Sequence, residues 1–207
     1  MQLIPNWFNK QDVIQELEQC GIKVNWLNKL KRVEIYLDNS RKLVLYCKKV
    51  PIGYTILRGG ENSIEKNLAK QAENLGVEII LGVKHEGKAD IVATGVSKIL
   101  TVGFARIYKG DFDPEIAKVF FSPAQTPTIG YAYLFPHNKK LATFKISKKI
   151  GETADIRINL MLARDKYLAD KILEKNFVYE FGTKRSFNVP ETAMDNASYI
   201  VGEAAGF

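Results

Sequence analysis

Apolar residues along the first part of the chain repeat with two different periods. In residues 12–20, Val13, Leu17 and Cys20 share one helical face and Gly21 follows as a stop, which predicts a short amphipathic helix. Residues 33–37 and 42–46 are β-branched or aromatic runs on either side of Asp38-Asn39-Ser40-Arg41, the pattern of a hairpin. The strongest helical period covers residues 63–75. There Ile64, Leu68, Ala72 and Leu75 form one stripe, Asn62 and Glu65 have capping-box spacing, and Gly76 ends the run. Residues 77–81 then read as a strand, 82–88 as a turn, and 89–93 as a further strand closing on Thr94-Gly95. Helix and strand in alternation, with short connections, predict a mixed α/β segment.

Beyond residue 95 the period shortens to two. Residues 99–108, 118–121, 131–135 and 141–146 read as strands separated by Pro, Gly, Asp and Asn-Lys turns, which favours an antiparallel sheet. Residues 155–175 carry Ile158, Met161, Leu162, Leu168, Ile172 and Leu173 and predict a helix; residues 198–201 predict a last short strand. The expected fold class is α+β: a mixed, largely antiparallel sheet with flanking helices, in a single unit spanning 1–207.

Composition narrows the function classes. A chain of 207 residues holds one large domain, or one domain and part of another, and 46% hydrophobic with 26% charged residues is globular rather than disordered. Nine Tyr, eleven Phe and two Trp offer flat apolar surface to a core or to a greasy ligand. The net charge of +7 comes from lysines spread along the chain without a run of five, so it reads as a solvated surface and not as a nucleic-acid site. Cys20 and Cys47 lack metal-ligand spacing, and His85 and His137 are the only histidines, so no metal site is expected. The most apolar long stretch, 91–108, is interrupted by Lys98, Arg106 and two glycines, and residues 1–6 show no leader pattern. The expected location is cytoplasmic, with peripheral membrane contact left open. Gly-x-Ser-x-Gly, P-loop and His-Glu-x-x-His patterns are all missing, and no catalytic residue is assigned.

Three segments bear on chemistry. In residues 63–79 followed by Ala89-Asp-Ile-Val-Ala-Thr-Gly95, a glycine after a strand lets backbone approach a phosphate or sugar, though many strands simply end this way. In Gly130-Tyr-Ala-Tyr-Leu-Phe-Pro136, a strand puts Tyr131, Tyr133 and Phe135 on one face. Such a wall suits a packed sheet face or a polyprenyl chain, each buried methylene of which is worth roughly 0.8 kcal/mol. The third is Ala197-Ser-Tyr-Ile-Val-Gly-Glu-Ala-Ala-Gly-Phe207.

In this order the segments resemble the flavin-dependent geranylgeranyl reductases, within the flavoproteins of hydroxybenzoate-hydroxylase-like fold. The resemblance implies FAD as cofactor and an isoprenoid lipid as the substrate whose double bond is reduced. It places Thr94 and Gly95 near the flavin, and Gly202 and Glu203 at the ribitol, with Glu203 where the family has Asp. It places Tyr131, Tyr133, Phe135 and Pro136 at the lipid, with Tyr133 where the family has Trp. It also divides the chain into a partial cofactor-side segment at 12–95, an antiparallel substrate-binding sheet and helix at 96–190, and a truncated cofactor-binding strand and turn at 197–207.

The family opens with a strand, a Gly-x-Gly-x-x-Gly turn and a helix, whose backbone N–H groups hold the dinucleotide pyrophosphate. That pattern occurs nowhere in these 207 residues; Gly59-Gly60 is the only adjacent pair. The expectation is therefore an incomplete FAD-dependent oxidoreductase that needs a second polypeptide carrying the dinucleotide-binding motif. The alternative is a non-catalytic remnant that binds prenyl lipid or another protein and no longer binds FAD.

Overall fold

The computed structural model describes residues 2–6, 11–37, 41–94, 101–121, 131–149, 156–168, 172–185, 194–195 and 198–201. The elements of the first half are β1 (Gln2–Pro5), α1 (Val13–Gln19), β2 (Asn28–Leu30), β3 (Arg32–Tyr36), β4 (Lys42–Tyr46), β5 (Gly53–Ile56), α2 (Ile64–Asn74) and β6 (Ile91–Val92). Those of the second half are β7 (Thr101–Lys109), β8 (Ile116–Phe120), β9 (Ala132–Pro136), β10 (Leu141–Lys149), α3 (Ile156–Leu168), β11 (Phe177–Arg185), β12 (Met194–Asp195) and β13 (Ser198–Ile200).

Seven strands form the main sheet in the order β11-β7-β10-β9-β8-β3-β4. Its neighbours are antiparallel except β3 and β8, which run parallel. The α+β expectation therefore holds. Residues 32–46, inside the segment read as cofactor-side, join this large sheet through the β3–β8 pairing. On one face Phe104, Tyr108, Phe120, Leu134, Phe144 and Ile146 pack with Leu160 and Ala163 of α3. On the other, Val33, Ala117, Tyr133 and Phe135 pack with Leu30 of β2 and Leu3 of β1. At the sheet centre β8 and β9 thus bury apolar residues on both faces.

The small sheet β1-β5-β2 supplies that second cover. Gly53 makes it possible: a Cβ there would lie 2.5 Å from the carbonyl oxygen of Ile4, inside van der Waals contact with backbone. Asp12 links α1 to this sheet, since one carboxylate oxygen caps the helix at Ile14 N (3.0 Å) and the other accepts from the Tyr54 hydroxyl. Burial, and then that hydrogen bond, push the Tyr54 hydroxyl pKa up.

Several expectations need correction. The α2 cap is Ser63, whose hydroxyl accepts from Lys66 N, and not Asn62. The stripe on α2 is not enclosed among the described residues; Leu68 and Leu75 are exposed. Residues 77–81 form no strand, because strand-prone side chains give a strand only when another strand is there to hydrogen-bond. The last helix ends at Leu168, and residues 177–185 are the edge strand β11. No helix among the described residues is long and apolar enough to cross a membrane.

Candidate functional site

β9 lies between β8 and β10, so its side chains meet neighbours on both sides. Tyr131, Tyr133 and Phe135 share one face as the alternation requires. Ring centroids are 6.0 Å apart for Tyr131–Tyr133 and 4.2 Å for the stacked Tyr133–Phe135 pair. Tyr133 is 4% exposed and Phe135 is also buried, while Tyr131 is half-buried beside Phe121 at 5.9 Å. Pro136 falls on the opposite face, where it lines a cavity of about 200 Å³ with Arg32, Glu34, Phe112 and Leu168. The structure therefore brings together three of the four residues read as lipid-binding and separates the fourth.

The register adds a polar ladder that the sequence did not announce. Thr143 stands opposite Phe135, Lys145 opposite Tyr133, and Ser147 N donates to Tyr131 O at 3.1 Å. Directly opposed residues share a face, so Thr143, Lys145 and Ser147 extend the aromatic wall sideways. All three are buried; Lys145 is 3% exposed, with its ammonium 5.9 Å from the Tyr133 ring centre. Beyond them the floor is small, with Gly103 and Ala105 opposite Ser147 and Lys145. In the sequence these polar residues alternate with Phe144 and Ile146 and look like the wet side of a two-faced strand. Only the pairing shows that this side is enclosed.

At the end of β9, Asn28 Nδ2 donates to the carbonyls of Pro136 (2.8 Å) and His137 (3.0 Å), tying β2 to the wall. His137 Nε2 shares a 2.6 Å hydrogen bond with Thr143 Oγ1, and burial lowers the imidazole pKa to about 4. An unfolded chain takes up that proton near pH ~6.5, so between roughly 6.5 and 4 it binds more protons than the folded one. Acid in this window favours unfolding. Urea midpoints are expected to fall as pH drops from about 7 towards 4.5, and less steeply in His137→Gln. Equal slopes would remove His137 from the account.

On the cavity side, Glu34 is a buried carboxylate held by Lys42 (2.9 Å), Arg32 (3.4 Å), Lys118 (3.8 Å) and the Tyr36 hydroxyl (2.8 Å). Burial pushes its pKa up, but the Lys42 and Tyr36 hydrogen bonds and the nearby Lys118 charge outweigh it, so the net direction is down. Burial, with the bond to Glu34, pushes the Tyr36 hydroxyl up to about 12. Three cations and a hydroxyl satisfy the one buried carboxylate, which gives the cluster a structural role beside the cavity.

The cofactor-side residues belong to a separate sheet, β12-β13-β6. β13 and β6 are parallel, with Tyr199 opposite Ile91 and Ile200 opposite Val92; Val201 N donates to Val92 O at 3.0 Å. The two strands run the same way, so both leave the sheet at the end where Val201 N meets Val92 O, with Thr94 two residues further on. Gly95, Gly202 and Glu203 lie outside the described residues. Carboxyl ends of parallel strands are where open α/β sheets take ligands. The pyrophosphate cradle is another matter. Gly59 and Gly60 have positive φ, but they lack the required spacing, and Arg58 beside them is committed to Glu65 and Gln2. The residues in hand do not fit the whole cofactor, and no hydride step follows from them.

No protein-family model and no curated protein matches the chain. Solved structures do match. A geranylgeranyl bacteriochlorophyll reductase-like protein from Thermoplasma acidophilum superposes with TM-score 0.68 at 20% identity, over 91% of this chain and 59% of that one. The flavin-dependent brominase Bmp2 gives TM-score 0.63 at 12% identity, over 94% and 58%. A flavoprotein/dehydrogenase from Cytophaga hutchinsonii gives 0.61 at 10%, over 87% and 56%. The chain spans less than three fifths of the length of each of these structures. It shares its fold with the matched part of these structures.

Proposed function

We propose that this chain is the substrate side of a cytoplasmic FAD-dependent oxidoreductase of geranylgeranyl-reductase type. In this reading it binds an isoprenoid lipid along Tyr131, Tyr133 and Phe135. A dinucleotide-binding segment on another polypeptide completes the FAD site. The observation that carries the reading is the parallel β6–β13 pair, whose exits at Thr94 and Val201 come together at one edge within a flavoprotein fold. β12 continues this sheet on the β13 side only, whereas parallel sheets are normally covered on both faces. Here Ile91, Tyr199 and Val201 are exposed, and no strand among the described residues continues the sheet past β6. That open apolar ground supports a missing partner strand.

A flavin held by the completed site would supply the hydride for alkene reduction, while the residues of this chain would bind and orient the lipid and keep water from it. The alternative, a prenyl-lipid-binding or protein-interaction remnant without FAD, draws on the missing glycine-rich turn. Purification decides between them. The chain alone is expected to be colourless, and to show flavin absorbance when co-expressed with a strand–Gly-x-Gly-x-x-Gly–helix segment. Flavin bound to the isolated chain would refute the incomplete site. Persistent lack of colour with retained prenyl-lipid binding would favour the remnant. Tyr131→Ala, at the half-buried end of the wall, is expected to weaken prenyl-lipid binding about tenfold, or ~1.4 kcal/mol. Unchanged affinity would make the wall core and nothing more.

A further inference from the structure

Outside this site, the main sheet ends in an unusual edge. β4 is its outermost strand, and Leu43, Val44, Leu45 and Tyr46 are each between 44% and 61% exposed. Leu43 and Leu45 stand opposite Ile35 and Val33, while Val44 and Tyr46 stand opposite Glu34 and Arg32, so apolar groups project from both faces of one strand. The bonds Cys47 N to Lys31 O (3.1 Å) and Leu37 N to Arg41 O (3.0 Å) fix which backbone groups face inward. By alternation, the N–H and C=O groups of Lys42, Val44 and Tyr46 face outward. Residues 41–49 also carry Arg41, Lys42, Lys48 and Lys49, all exposed, with no carboxylate among them; Lys42 reaches back to Glu34 at 2.9 Å, while Lys48 and Lys49 lie at the other end of the strand.

We infer that β4 is a docking surface for an anionic lipid bilayer. Charge selects this occupant. A second copy added antiparallel along β4 would bring the basic ends of both strands together, and like charges so placed repel. A lipid surface bearing phosphates meets the exposed Lys48 and Lys49 at the end of the strand and accepts exposed leucine and tyrosine at the boundary between headgroups and acyl chains. The outward backbone groups set the depth. They need water, which the headgroup layer holds and the hydrocarbon core does not, so the strand lies shallow and parallel to the surface. This surface is separate from the Thr94 and Val201 edge and does not depend on flavin.

Sedimentation of the full chain with vesicles tests it. Phosphatidylglycerol–phosphatidylcholine vesicles are expected to bind the protein, pure phosphatidylcholine vesicles to bind it at least about tenfold more weakly, and added salt to release it. Leu43→Glu/Leu45→Glu and Lys48→Glu/Lys49→Glu are expected to lose binding by about tenfold or more while keeping the wild-type urea midpoint, since all four side chains are exposed. Wild-type binding that ignores lipid charge, or variants that bind as well as wild type, would overturn the inference. Failure to bind anionic vesicles would do so too, and would leave strand addition by a protein partner as the use of this edge. Vesicle binding is read without flavin, so either proposal can fail while the other stands.

Discussion

Phe144→Ala is expected to lower the unfolding free energy by about 3–5 kcal/mol, the range found for phenylalanine truncated in a filled interior. Phe144 is fully buried at the middle of β10, opposite Leu134 on one side and Arg106 on the other. Its ring meets Phe120 edge-on at 6.0 Å and 73°, and Leu160 and Ala163 of α3 close the same cluster. Alanine would leave a ring-sized void bounded by sheet backbone and by a helix pinned at several points, and neither can collapse far into it. Phe144→Leu keeps most of the volume and should cost about 1 kcal/mol. Urea unfolding with an unchanged m-value reads both. A loss below about 1 kcal/mol for the alanine variant would mean that α3 does not seal this face.

Tyr133→Ala is expected to cost about 3 kcal/mol and to weaken prenyl-lipid binding together with the fold. The ring is stacked on Phe135 at 4.2 Å and lies under the Lys145 ammonium at 5.9 Å. Removing it leaves Phe135 without its stacking partner and takes the π face from a cation that is 3% exposed. Tyr133→Leu restores apolar volume but not the ring face, so it should recover about two thirds of the stability. If prenyl-lipid affinity follows volume, leucine should restore binding as well; if it follows the flat face, leucine should fold and fail to bind. An alanine variant as stable as wild type would contradict the packing described here.

The two helices near the start, the hairpin of β3 and β4, and the one-sided placement of Tyr131, Tyr133 and Phe135 could all be read from residue order. Each follows from the backbone geometry of a few consecutive residues. Pro136 follows the same rule: next to Phe135 in a strand, it faces the other way. β5 escaped notice because Gly53-Tyr54-Thr55-Ile56 is buried throughout and shows no alternation at all.

Local periodicity settles helix positions, strand direction changes and which side chains point together, since these depend on neighbours within a turn or two. Enclosure is different. Thr143, Lys145 and Ser147 become interior, and residues 77–81 stay unpaired, according to which strands meet. Those meetings join residues far apart, as Asn28 joins Pro136 and His137 across more than a hundred positions. A strand's hydrogen bonds are made with another strand, so the same five residues are core beside a partner and bare chain without one. That dependence is why the cofactor edge, the buried lysine and the open β4 margin emerge only once the chain is folded.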